Sequence, residues 1–310
     1  MFAAGLKPTK AMSKQPHRFF PTLALATAGC LWGTGFFFGK IALNEMPVST
    51  MVLFRLLFAC AGLLPFLLFD RPRFVGAEWG WVFAASVFGV LVQFLVQFKG
   101  LSLTTVSHAA LMVGTLPILL AIAAVLFSGE SLHFGGWLAL VVSTVGAGLI
   151  ALSGKGQSGT ARASVAGDLL VVLSMFAAIA WILISKRLVR RHSALMVSAF
   201  VYWIGTLLLA TVVIISAGVP SLHYSARAWI AVAEQGILAT ATTTVLWNWG
   251  LKRVPASQAG IFVNLEPLVG AILGVSLMHE VLGGSTIVGG VLIIGGAVYF
   301  SYRPARDTQS

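Results

Sequence analysis

Long apolar runs, broken only by short polar or Pro/Gly segments, restrict this chain more than any other feature. A bilayer core takes roughly 20 apolar helical residues per crossing, and ten such runs can be marked at about residues 20–43, 48–69, 77–98, 104–127, 132–152, 165–188, 194–217, 226–251, 256–278 and 283–302. Only 9% of the 310 residues are charged and 58% are hydrophobic, so the polar atoms needed for a water-facing surface are missing. A membrane β-barrel is excluded because its strands alternate apolar and polar residues, whereas these runs are continuous. The pattern predicts an all-α membrane protein with ten transmembrane helices. A tail at 1–19, a polar and Gly-rich linker at 153–164 and a tail at 303–310 complete the chain.

The first run follows Lys7, Lys10, Lys14 and Arg18, as a signal peptide would, and Thr27-Ala28-Gly29-Cys30 faintly resembles a lipoprotein cleavage site. The run continues past Cys30 to Leu43, too long for a cleaved segment, and is expected to be a retained first span. A net charge of +11 would suggest nucleic acid in a soluble protein. Here its placement between loops gives orientation, and no nucleic-acid partner is expected. With the N-terminus inside, fourteen Lys and Arg fall on the inner side, among them Arg71, Arg73, Arg190, Arg191, Lys252 and Arg253, and five on the outer side. By the positive-inside rule both termini are cytoplasmic. Cys30 and Cys60 both lie inside apolar runs, so neither a disulfide framework nor a zinc site is available.

Sliding the chain against itself by 150 residues without gaps pairs Gly100-Leu101 with Gly250-Leu251, Ser107 with Ser257, Val113 with Val263, Pro117 with Pro267 and Glu130 with Glu280. Fourteen identities fall between Gly100 and Ala147, where composition gives about four or five by chance. Spans 3–5 therefore look duplicated as 8–10 and, by extension, 1–5 (residues 20–152) as 6–10 (residues 165–302). Five is odd, so the second copy must enter the membrane upside down. The expected architecture is two inverted five-helix repeats (5+5), a design common among secondary transporters; a repeat kept only for packing is the alternative.

Leu31-Trp32-Gly33 with Lys40, Phe54-Arg55, Gly100-Leu101, Pro117 with Gly129-Glu130, and Pro267 with Glu280 together resemble the ten-helix EamA-type permeases of the drug/metabolite transporter superfamily. The resemblance covers nearly the whole chain and is closest to bacterial exporters of aromatic and other amino acids. It implies a central cavity walled by spans 1, 3, 4, 6, 8 and 9, with spans 5 and 10 at the periphery, in a bacterial inner membrane.

Polar groups inside spans are costly and usually face a bundle interior or a wet cavity. Gln93, Gln97, His108, Asn248 and Gln258 are candidate cavity residues, with interhelical hydrogen bonding as the other reading. Gln93 and Gln97 are four apart and share a helix face. Trp32 and Trp181, near the middle of spans 1 and 6, suit stacking against an aromatic solute, although packing explains them equally well. Proton coupling has two candidates, His108 and Glu266, the latter taken as the only carboxylate near mid-span. Glu266 also precedes Pro267 and could satisfy backbone groups that the proline frees. Arg55 reads best as a structural ion pair or helix-end contact, and Glu130 and Glu280 as caps or turn partners.

Other motifs carry no chemistry. Gly154-Lys155-Gly156-Gln157-Ser158-Gly159 matches a dinucleotide fingerprint but follows no strand. His279-Glu280 lacks the second histidine of a zinc protease, and the glycines at 35, 39, 284, 289, 290, 295 and 296 suit close helix packing. The expected protein is no enzyme, has no cofactor or metal, works as a monomer in the lipid bilayer, and exports small amphiphilic metabolites, aromatic or hydrophobic amino acids first. A multidrug or organic-cation exporter and a non-transporting scaffold are the alternatives.

Overall fold

A computed structural model describes residues 19–69, 74–103, 112–153, 164–266, 268–269, 272–273 and 284–302. Among the described residues there is no strand. The helices are α1 (Phe19–Leu43), α2 (Val48–Phe69), α3 (Ala77–Leu103), α4 (Leu116–Ser128), α5 (Phe134–Ser153), α6 (Val165–Val189), α7 (Ala194–Ala217), α8 (226–251), α9 (Ala256–Ala259, continued by a 3-10 turn at Gly260–Asn264) and α10 (Gly284–Tyr302). Five of them are individually long and apolar enough to cross a membrane. Leu64, Phe83, Leu126, Ile215 and Val291 are exposed, as expected of a surface solvated by lipid chains.

Where helices enter or leave the bundle, the chain supplies its own caps, since hydrocarbon cannot. Ser164, Ser193 and Ser225 accept the N–H groups of Gly167, Met196 and Ala228 at the starts of α6, α7 and α8. Gly129, at φ 62°, ends α4 in the left-handed conformation that favours glycine.

Contacts between loops sort them onto two ends. At one end Glu45, between α1 and α2, accepts Ser225 N–H (2.9 Å) and Oγ–H (2.6 Å), between α7 and α8. At the other end Glu78 meets Arg191 (3.3 Å) and His192 (2.9 Å), between α6 and α7, and Lys252 reaches the His192 carbonyl. The α1–α2 turn and the α6–α7 turn thus lie on opposite ends, whereas their neighbours α2–α3 and α7–α8 lie the other way round.

The 150-residue offset recurs as geometry. α3 and α8 each open into a π-helical stretch, at Val87–Val92 and Ile237–Thr242, positions 150 apart. α5 packs extensively along α10. There a Cβ on Gly146 would lie 2.6 Å from the Gly289 carbonyl, and one on Gly296 would lie 3.2 Å from that of Ala139. The two contacts exchange under the same offset, as those across a two-fold axis must.

The structure corrects one span. Residues 104–127 were expected as a continuous crossing, but the chain turns at Gly114-Thr115 and α4 begins only at Leu116. Pro117 is the physical reason: lacking an N–H and clashing with the carbonyl four residues back, it suits a first helical turn and not an interior. The ninth span is likewise irregular, tightening to 3-10 geometry before Glu266. Expectations concerning His108, Pro267 and Glu280 lie outside the described residues.

Candidate functional site

The irregular stretches of α4 and α9 meet at a cavity of about 80 Å³ between the two halves of the bundle. Val113, Leu116, Val263 and Glu266 line it from these two segments, Trp32 and Gly35 from α1, and Met175, Ala178, Trp181 and Ile182 from α6. Gln93, Phe94, Gln97 and Phe98 come from α3, Arg55 from α2 and Tyr202 from α7. Val113 and Val263, and Leu116 and Glu266, are pairs at the 150-residue offset, so the pseudo-two-fold axis passes through the cavity. A water takes about 30 Å³ of liquid volume and small-molecule sites are typically several hundred. At this size the cavity takes a metabolite only if its walls separate.

A larger depression of about 490 Å³ lies among Val48, Ser49, Leu95, Val96, Lys99 and Leu170. It opens onto the outer faces of α2, α3 and α6, and Lys99 is its one charged lining residue. Without convergent polar groups it fits a solute less well than the central cavity.

Arg55 is only 5% exposed. Its Nε donates to Thr240 Oγ1 at 2.7 Å and its Nη2 to the Ala239 carbonyl at 3.5 Å. The guanidinium carbon lies 4.5 Å from the Phe94 ring centroid and 5.3 Å from that of Phe98, within cation–π range. Among the described residues Arg55 makes no ion pair; its carboxylate neighbours at longer range are Glu234 and Glu266. The ion pair expected of Arg55 is absent among the described residues; its hydrogen bonds are to α8, and its side chain also lines the cavity. Glu266 faces it too, at 9% exposure. Among the described residues the cavity wall is mostly apolar and aromatic and includes one cationic side chain, Arg55, and one carboxyl group, Glu266.

Glu234 was missed. It lies within α8, so Glu266 is not the only carboxylate inside a span. Thr34 of α1 donates to Glu234 Oε1 at 2.6 Å, while Oε2 is buried with no hydrogen-bond partner among the described residues. Its neighbour Gln235 donates to the Gly35 carbonyl. The signal was available in the sequence, since Glu234 sits nine residues into the eighth run.

Of the candidates, Trp32, Gln93, Gln97, Trp181 and Glu266 share the cavity wall. Asn248 and Gln258 are buried elsewhere; Asn248 Nδ2 donates to Ser198 Oγ at 2.9 Å, the interhelical bond that was the other reading. No residue of α8 lines the cavity, contrary to what the resemblance implied. Trp247 of α8 stacks behind Trp32 instead, with ring centroids 4.9 Å apart. α2 and α7 supply walls that were not expected.

Below the cavity Glu130 ties α4 to the second half of the chain. Its carboxylate accepts Ala256 N–H (3.1 Å) and Ser257 N–H (3.0 Å) at the start of α9 and pairs with Lys186 of α6 (3.1 Å). Burial acts to raise the Glu130 carboxyl, but Lys186 and the two N–H donors outweigh it and hold its pKa below the ordinary carboxylate value. A depressed folded-state pKa gives stability that is full above the unfolded value, about 4.3, and is lost as pH falls through the folded one. Glu130→Gln should therefore lower the thermal midpoint of the purified protein at pH 7, and the gap to wild type should close below about pH 4. A gap that persists unchanged to pH 3 would contradict this role.

The model of the EamA-like transporter family matches residues 20–152 and again 165–302. An uncharacterized transporter of Archaeoglobus fulgidus is 23% identical over 276 residues, covering 88% of this chain and 94% of that protein. The uncharacterized transporter YetK of Bacillus subtilis is 26% identical over 281 residues (88% and 84%), and a protein of Escherichia coli named biotin transporter is 24% identical over 270 residues (85% and 87%). A solved crystal structure superposes with a TM-score of 0.76 at 21% identity, covering 92% of this chain and 99% of that one, and shares the fold.

Proposed function

Because the chain belongs to the EamA-like transporter family and is thus a membrane transporter, we propose that it exports small amphiphilic metabolites, aromatic and hydrophobic amino acids first among them. Two five-helix halves, residues 20–152 and 165–302, sit in opposite orientations and admit solute alternately to either side of the central cavity. The opposite ends occupied by equivalent turns and the exchanged Gly146 and Gly296 contacts support that arrangement. The protein acts as a monomer in the bacterial inner membrane with both termini in the cytoplasm, a placement favoured by the excess of Lys and Arg on the Glu78 end.

One observation carries the substrate class: Arg55 and Glu266 face the same cavity as Trp32, Trp181, Phe94 and Phe98. A zwitterion presents a carboxylate to the guanidinium and an ammonium to the carboxylate, and an aromatic side chain fills the rest. A polyanion would meet Glu266 and too few cations. Biotin, the solute in one relative's name, likewise pairs a carboxylate with a neutral ring and could engage Arg55.

Glu266 also favours a second reading, an organic-cation exporter. Counterflow in proteoliposomes loaded with phenylalanine or a lipophilic cation, with and without a proton gradient, separates the two. The expected result is amino-acid flux in wild type that Glu266→Gln weakens without abolishing, because the amide oxygen still accepts from the ammonium and Arg55 still holds the carboxylate. Cation flux that collapses in this variant, with no amino-acid flux in wild type, would establish the second reading.

A further inference from the structure

The cavity is built on a symmetric frame but its charge is not symmetric. At the 150-residue offset Arg55 corresponds to Gly205 and Thr240 to Val90. Both pairs are in contact: Arg55 Nε donates to Thr240 Oγ1 at 2.7 Å, and a Cβ on Gly205 would press on the Val90 side chain. One half thus packs a glycine against a valine where the other joins a buried cation to a hydroxyl.

Thr240 is able to accept that bond because of the π-helical stretch Ile237–Thr242. Its hydroxyl donates its own proton to the Gln235 carbonyl five residues back, at 2.7 Å, which leaves the oxygen lone pairs for Arg55. Ala239, in the same stretch, offers its carbonyl to Nη2. With Phe94 and Phe98 beside the guanidinium, these bonds engage two of its five N–H donors, and the remaining edge is free to turn toward the cavity.

We propose that Thr240 is the positioning residue of this transporter's selectivity, holding Arg55 so that its guanidinium receives the carboxylate of the solute. The π-helical stretch in α8 is the device that presents Thr240 and the Ala239 carbonyl together, and its counterpart in α3, with Val90, has no such function. Carboxylate recognition therefore resides in one half of the duplicated frame. This rests on the proposal above only insofar as the cavity admits a carboxylate-bearing solute, whether or not that solute is an amino acid.

The test is calorimetric titration of the full-length, detergent-solubilised protein with phenylacetate and with phenylacetamide, an uncharged isostere. Wild type should bind phenylacetate more tightly. Thr240→Val should weaken phenylacetate by about tenfold, the scale of losing one charge-assisted hydrogen bond, with phenylacetamide unchanged. Thr240→Ser, which keeps the hydroxyl, should restore it, and Thr240→Ala serves if the valine variant does not accumulate. Equal phenylacetate binding by wild type and variant, equal weakening of both probes, or no preference for the acid in wild type would each overturn the proposal. Failure of amino-acid counterflow with the phenylacetate result intact would instead sink the amino-acid assignment and leave Thr240 its role.

Discussion

Replacing Arg55 by methionine should cut counterflow of a carboxylate-bearing solute about 100-fold at subsaturating concentration, the largest functional effect expected of any single change. A hydrogen bond to a charged group contributes about 1.5–3 kcal/mol, and two are expected between a guanidinium and a carboxylate. Methionine keeps much of the apolar stem and brings no buried charge that needs a partner, so the variant should still fold. Arg55→Lys retains the charge but loses the fork that satisfies Thr240 and the Ala239 carbonyl together; about a tenfold loss is expected. A neutral amide analogue should be carried equally by all three proteins. If the methionine variant transports the acid as wild type does, the cavity does not use Arg55 and the substrate class proposed above is wrong.

A large effect on stability is expected at Gly33. A Cβ there would lie 2.6 Å from the Glu266 carbonyl and 2.7 Å from Val269 Cβ, so α1 and the segment that follows α9 touch backbone to backbone with no slack. The neighbour is a main-chain oxygen, which cannot rotate away. Gly33→Val should therefore destabilise the protein by about 3 kcal/mol, the upper range for overpacking, seen as a drop of several degrees in thermal midpoint. Because that segment must move, Glu266 moves with it, and flux should fall even at temperatures where the protein remains folded. Gly80→Ala is the control: no atom lies within 4 Å of its Cβ position, and the change should be neutral or slightly stabilising. Equal midpoints for the two variants would show that this contact is not tight.

Apolar run length marked most of the helices in advance, although the run at 104–127 is broken by a turn at Gly114-Thr115, and the fourteen paired identities between Gly100 and Ala147 announced the duplication that recurs as paired π-helical stretches and paired glycine contacts. Both signals are local or translational, and a linear string carries them well. Trp32, Gln93, Gln97, Trp181 and Glu266 were legible as candidates because polar and aromatic groups in mid-span are rare, and all five reach the cavity. Asn248 looked the same in the sequence and turned instead to Ser198.

What separates these residues is the direction each side chain faces, and that is set by features the helical period hides. A π-helical turn holds more residues than an α turn and so rotates every later position about the axis. Residues after Val92 in α3 and after Thr242 in α8 thus face where a regular helix would not send them. The sequence by itself determined that the chain is built of apolar helical runs and that its two halves repeat, since these follow from hydropathy and self-similarity. Only the tertiary structure decided that Arg55 and Glu266 share one chamber, each standing where its repeat partner is Gly205 or Leu116. Contacts between residues far apart in the chain depend on how helices rotate and cross, and no local pattern encodes that.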